Sequence, residues 1–122
     1  MLAPPAVVAE FGRRPGWLDV RPAPDPGRVA ALLERIDLGE AEAIVLALSV
    51  PDAEVLIDEA RGRREALELG LRVTGTAGVL LEAKRRGVVP AVRPLVDALI
   101  RDHDFRMSDD LRDAVLREAG EA

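Results

Sequence analysis

The sequence predicts an α/β domain built on a parallel sheet, and three observations carry that prediction. Apolar runs of strand length alternate with segments of helical periodicity. Two of those runs, residues 54–58 and 71–74, flank one helical segment, which is the spacing of a right-handed strand–helix–strand crossover with parallel strands. The composition, 48% hydrophobic and 32% charged, suits a soluble globule, and its abundance of Ala, Leu, Arg and Glu leans helical.

Taken in chain order, residues 2–11 read as a short extended entry into a helix. Pro5 fits the first helical turn, where its missing N–H costs nothing, and Val7, Val8 and Phe11 fall on one face. Residues 12–16 break that helix, and residues 17–21 alternate like a short strand. Residues 22–27 contain three prolines and are predicted as loop. Val29, Leu32, Leu33 and Ile36 follow the i, i+3, i+4, i+7 pattern of an amphipathic helix. Leu38 and Gly39 are expected to end it, with a second helix from near Glu40 to about Val50. Pro51, Asp52 and Ala53 then turn the chain into a buried strand at 54–58. A helix over 61–69 closed by Gly70 leads into the second buried strand at 71–74. Three helices complete the chain. One covers 76–86 and is closed by Gly87, and another covers 90–102 with Val92, Leu95, Val96 and Leu99 on one stripe. The last is capped by Ser108 and carries Leu111 and Val115. There is no internal repeat and no long linker, so 122 residues are expected to form one domain, residues 1–122.

Composition excludes several chemistries. Without cysteine there are no disulfides, zinc–thiolate sites or Cys nucleophiles. Trp17, Phe11 and Phe105 are the only aromatic residues, too few for binding single strands by base stacking. The longest apolar run, residues 43–50, is far too short to span a bilayer, and no secretion signal is evident, so a cytoplasmic location without membrane contact is expected. The net charge of −5 disfavours generic DNA binding, yet clustered carboxylates that hold metal ions would themselves produce it.

Candidate chemistry lies in the carboxylates. Glu40 and Glu42 open a helix, where acidic side chains either stabilise the positive end of the helix dipole or serve as ligands. Being two apart, they leave on different faces, so one of them is expected beside a site rather than in it. Asp58 follows a buried parallel strand, at the sheet edge where α/β proteins bind ligands; a helix N-cap is its alternative role. Glu10 joins them only if its helix lines the same cleft. Carboxylates from separate loops make a hard oxygen site suited to Mg²⁺ or Mn²⁺, ions that promote phosphodiester hydrolysis. Arg61, Arg63 and Arg64, with Lys84, Arg85 and Arg86, would then hold flanking phosphates or act as helix-end and solubilising charges. Residues 74–78 form a weak phosphate-cradling pattern without the spacing or Lys of a P-loop, better read as a tight strand-to-helix turn. His103, between Asp102 and Asp104, reads as a surface residue at a helix end.

These segments together carry a resemblance. Leu38, Gly39, Glu40, Ala41, Glu42, Ala43 and Ile44 are followed by Leu56, Ile57, Asp58 and Glu59 with Arg61 and Arg64. Gly70, Leu71, Val73, Thr74, Gly75, Thr76 and Gly78 then lead to Lys84 and Gly87. With Pro4, Pro5, Ala6, Val7, Glu10 and Phe11 before them and residues 105–108 after, the pattern resembles a prokaryotic PIN-like domain family of unassigned function. The resemblance implies a three-layer αβα sandwich related to the toxin ribonucleases of toxin–antitoxin pairs. It implies an acidic cluster holding Mg²⁺ or Mn²⁺, with Glu10, Glu40 and Asp58 as catalytic positions and Glu40, Glu42 and Asp58 as metal positions. Arg61, Arg64 and Lys84 would contact RNA, and an antitoxin-like protein or a second copy would be the partner. Members of that family carry a further strand bearing an Asp before the Pro-Pro-Ala-Val segment, whereas here Met1 and Leu2 stand directly before Ala3 and Pro4. The fold is accordingly expected to be N-terminally truncated and the nuclease weak or inactive. The alternative function is a non-catalytic interaction module that self-associates or binds a partner through its incomplete sheet.

Overall fold

The computed structural model describes residues 1–11, 16 and 19–122, the side chains of Val8, Glu10 and Phe11 excepted. Among the described residues it is an α/β structure of seven helices and four short strands. The order is β1 (Leu2–Ala3), α1 (Pro5–Phe11), β2 (Asp19–Val20), α2 (Pro26–Leu32), α3 (Leu38–Leu48), β3 (Glu54–Leu56), α4 (Ala60–Glu68), β4 (Arg72–Thr74), α5 (Thr76–Arg85), α6 (Arg93–Asp102) and α7 (Asp109–Glu118). The chain divides into two compact units, Met1–Thr74 and Gly75–Ala122.

The first unit holds all four strands, as two parallel pairs among the described residues, β1 with β2 and β3 with β4. The expected crossover is present: β3 pairs with β4 in the register Val55 to Val73, with α4 between them in sequence. Ile57 N–H extends the ladder by donating to Thr74 C=O at 2.9 Å. Ladders of two and three residues contribute little cohesion, which falls instead to α3. That helix packs against α1, α2, α4 and β3. Six of its eleven residues, Gly39, Ala41, Ile44, Val45, Leu46 and Ala47, are buried. Such burial on most sides marks a central rather than a surface helix. Ile44 is fully buried and Val45 nearly so, each contributing about 1.5–3 kcal/mol of apolar burial. Val29, Leu32, Ile36, Val55, Ile57 and Ala66 complete this core.

Several boundaries differ from the sequence expectation. Helix α2 ends at Leu32, short of Ile36, β3 ends at Leu56 rather than at 58, and α6 begins at Arg93 rather than at 90. The starts of α2 and α3 also shift. Helix α2 begins at Pro26, inside the expected loop, because Pro is compatible with the first helical position and Asp25 caps it, accepting from Arg28 N–H at 3.0 Å. Helix α3 begins at Leu38 rather than near Glu40, because Asp37 is its N-cap and accepts from Glu40 N–H at 2.9 Å. The expected strand over 17–21 is seen as Asp19–Val20, while Trp17 and Leu18 lie outside the described residues, as do residues 12–15. Gly70, at φ +80°, ends α4 as expected, in the left-handed conformation that favours glycine.

The second unit is helical. Val92, Val96 and Val115 form its core, with Leu80, Leu81 and Met107 packed against them. Ser108 caps α7 as expected, accepting from Leu111 N–H at 3.1 Å. Glu121 ties the unit together by accepting from the backbone N–H groups of Val92 at 2.8 Å and Arg93 at 3.0 Å, and from Lys84 Nζ at 3.0 Å. Two donors at the start of α6 and one ammonium hold its carboxyl well down, from 4.5 to about 2.

Candidate functional site

A cleft in the first unit gathers the strongest candidates. Its larger cavity, of about 380 Å³, is lined by Glu34, Arg35, Asp37, Glu40, Glu59 and Arg61 among polar residues, with Leu33 and Ile36. A second cavity of about 220 Å³ is lined by Glu34, Arg35, Arg61, Arg64 and Glu65. The two share Glu34, Arg35 and Arg61 and are therefore adjoining parts of one surface. Their charge differs. The first holds four carboxylates against two guanidiniums, the second three guanidiniums against two carboxylates. One end of the cleft thus suits a cation and the other an anion.

Local chemistry explains the placement. The Asp37 cap fixes the first turn of α3, and Glu40 sits in that turn. Its Oε2 is buried, lying against Gly62 of α4. Ile57 meets the same glycine through its Cγ2 methyl, so β3, α3 and α4 converge there. Asp58, the next residue after Ile57, is exposed at the carboxyl end of β3. Glu59 occupies the N-cap position of α4 without making a side-chain capping bond, and its side chain lines the cleft. Across the cleft Arg35 donates to Glu65 at 3.2 Å.

Other positions are used elsewhere. Glu42 accepts from Ala6 N–H at 3.2 Å, meeting the open N-terminal donors of α1 rather than lining the cleft. This divergence of Glu40 and Glu42 is what a two-residue separation on a helix dictates. Lys84 lies in the second unit, where its Nζ donates to Ala119 C=O at the end of α7 and to Glu121. His103 is the exposed C-cap of α6. Gly75 is the N-cap of α5, so residues 74–78 are a strand-to-helix connection. The Glu10 side chain lies outside the described residues. Sequence reasoning passed over Asp37, Arg35 and Gly62, and took Glu59 only as the neighbour of Asp58. Only Asp37 carried a signal, an Asp three residues before a Glu at a helix start.

Among the described residues no three His, Cys, Asp or Glu side chains form a ready metal cluster. A Mg²⁺-type ion needs less: it is commonly held by one or two carboxylates, with water and substrate phosphates completing its shell. Glu40, seated in a notch that a Cβ would fill, with Glu59 in the same cavity, fits that requirement. No helix among the described residues is long and apolar enough to cross a membrane.

A family model described as a PIN domain, DUF3368, matches residues 2–121. No curated protein and no solved structure matches the chain.

Proposed function

Since the chain belongs to the PIN-domain family, a family of nuclease-type, nucleic-acid-binding domains that generally use divalent metals, we propose that it is a metal-dependent endoribonuclease. The observation that carries the reading is the divided cleft, with Glu40 at its carboxylate-rich end and Arg61 and Arg64 at its guanidinium-rich end. Glu40 would hold a Mg²⁺ or Mn²⁺ ion, with Glu59 in the same cavity; Asp58, which precedes Glu59 in the chain, lines neither cavity and is the further candidate ligand. When bound, that ion supplies Lewis-acid neutralisation of the phosphodiester charge. Arg35, Arg61 and Arg64 would hold phosphates on the side of the scissile bond away from the cation, acting on the RNA backbone and not on its base sequence. The carboxylates keep the cation end repulsive to RNA until a cation is present, which makes cleavage conditional on the metal.

In this reading Glu42 anchors α1 and Lys84 stabilises the helical unit, so neither touches RNA. The alternative reading, a non-catalytic interaction module, is separated from this one by the cleavage test below. An antitoxin-like protein that covers the cleft, or a second copy, is the partner to seek, and the cytoplasm is the place of action.

The test is cleavage of labelled RNA by the intact protein with Mn²⁺, with EDTA, and after Glu40→Ala or Asp58→Ala. Loss of cleavage with EDTA and a fall of at least about 100-fold in each variant are expected, the range for removing a group from a charged catalytic centre. No cleavage by the intact protein, or cleavage untouched by both substitutions, would discard the reading.

A further inference from the structure

We propose that Gly62 is a positioning residue: the notch it leaves in α4 seats the Glu40 carboxylate at the cation end of the cleft. Gly62 is the third residue of α4 and is buried. A methyl group there would intrude on Glu40 Oε2 and would lie 3.1 Å from Glu40 Cδ and 2.8 Å from Ile57 Cγ2. Its backbone is helical and does not require glycine, and glycine inside a helix costs about 1 kcal/mol relative to alanine. Helix stability therefore argues against glycine at this position, and space argues for it.

Two neighbours compete as the reason. Ile57 is a stiff, buried, β-branched side chain, and relieving its contact is a matter of core packing alone. Glu40 is the closer neighbour, and its flexible end would yield to a methyl group by swinging away. Such a swing moves the carboxylate out of its buried seat while leaving α3 in place. Gly62→Ala is therefore expected to displace the carboxylate and also to strain the Ile57 contact, two effects that the variants below separate. Arg61 and Arg64 stand on the same helix, one and two residues from Gly62, and line the adjoining guanidinium-rich end of the cleft.

The experiment has two arms. The first measures unfolding free energies of the intact protein and of Gly62→Ala, Glu40→Ala and the double variant. If the glycine seats Glu40, the effect of Gly62→Ala becomes more favourable once Glu40 is alanine; if the double variant alone folds, that rescue is the same result. Equal effects in both backgrounds, or failure of the double variant to fold, overturn the proposal and leave Ile57 as the reason for the glycine. The second arm titrates Mn²⁺ against folded Gly62→Ala by electron paramagnetic resonance of the free ion, and it rests on the cation reading above. A loss of about 10–100-fold in affinity is expected, the usual effect of a group that orients a metal ligand. Unchanged affinity in a folded variant overturns the positioning role. If the intact protein itself binds no Mn²⁺, the cation reading falls, and Gly62 is judged by the first arm alone.

Discussion

Asp37 offers the sharpest separation of a structural from a ligand role, because it lines the cleft and also caps the helix that carries Glu40. Asp37→Ala removes the acceptor for Glu40 N–H, a bond of 2.9 Å. Loss of an N-cap typically costs about 1 kcal/mol, within a range of roughly 0.5–2. For a chain of this size that corresponds to a fall of about 3–6 °C in Tm. Asp37→Asn keeps the acceptor and gives up only the charge at the helix start, a smaller loss of about 0.3–1 kcal/mol. The order of stability is therefore intact protein, then Asn, then Ala, read by thermal and urea unfolding followed by circular dichroism. Manganese titration of the same proteins completes the assay. If Asp37 is only a cap, the Asn variant binds Mn²⁺ almost as the intact protein does. An Asn variant as unstable as Ala would refute the capping argument. An Asn variant that is stable but has lost Mn²⁺ affinity would make Asp37 a ligand.

Two further outcomes follow from contacts outside the cleft. Glu42→Ala leaves Ala6 N–H without its carboxylate and should cost about 1–2 kcal/mol, with Mn²⁺ affinity unchanged; a loss of affinity matching that of Glu40→Ala would show that its role as an α1 anchor is incomplete. Glu121 titrates lower in the folded protein, at about 2, than its ordinary value of 4.5. Folding therefore favours its charged form. The resulting stability is fully present above pH 4.5 and is lost as pH falls towards 2. Glu121→Gln should flatten the acid dependence of the urea midpoint across that window, and an unchanged slope would exclude Glu121 as its source.

Much of the fold was legible because its signals are local. Ser108 before an amphipathic run, Gly70 after one, and the strand–helix–strand spacing around α4 each state their structure within a few residues. Pro26 misled because the same residue that breaks a helix interior can open a helix. The candidate site was legible only in part. Glu40 stood out as an acid at a helix start and its divergence from Glu42 followed from their spacing, but what Glu42 meets depends on α1 packing on α3, a contact between residues 36 positions apart. Lys84 read as a phosphate contact because its partners, Ala119 and Glu121, lie 35 and 37 residues onward. Gly62 was invisible, since a glycine inside a helix reads as a weakness until the carboxylate beside it is seen.

The division of the cleft into unlike ends has a thermodynamic consequence under the proposed function. A cation at the carboxylate end and a polyanion at the guanidinium end, sharing Arg35 and Arg61 as common wall, cannot bind independently. Each raises the affinity of the other by one and the same factor, as linkage requires. Metal supply then sets how tightly RNA is held, and RNA in turn decides which copies of the protein capture scarce metal.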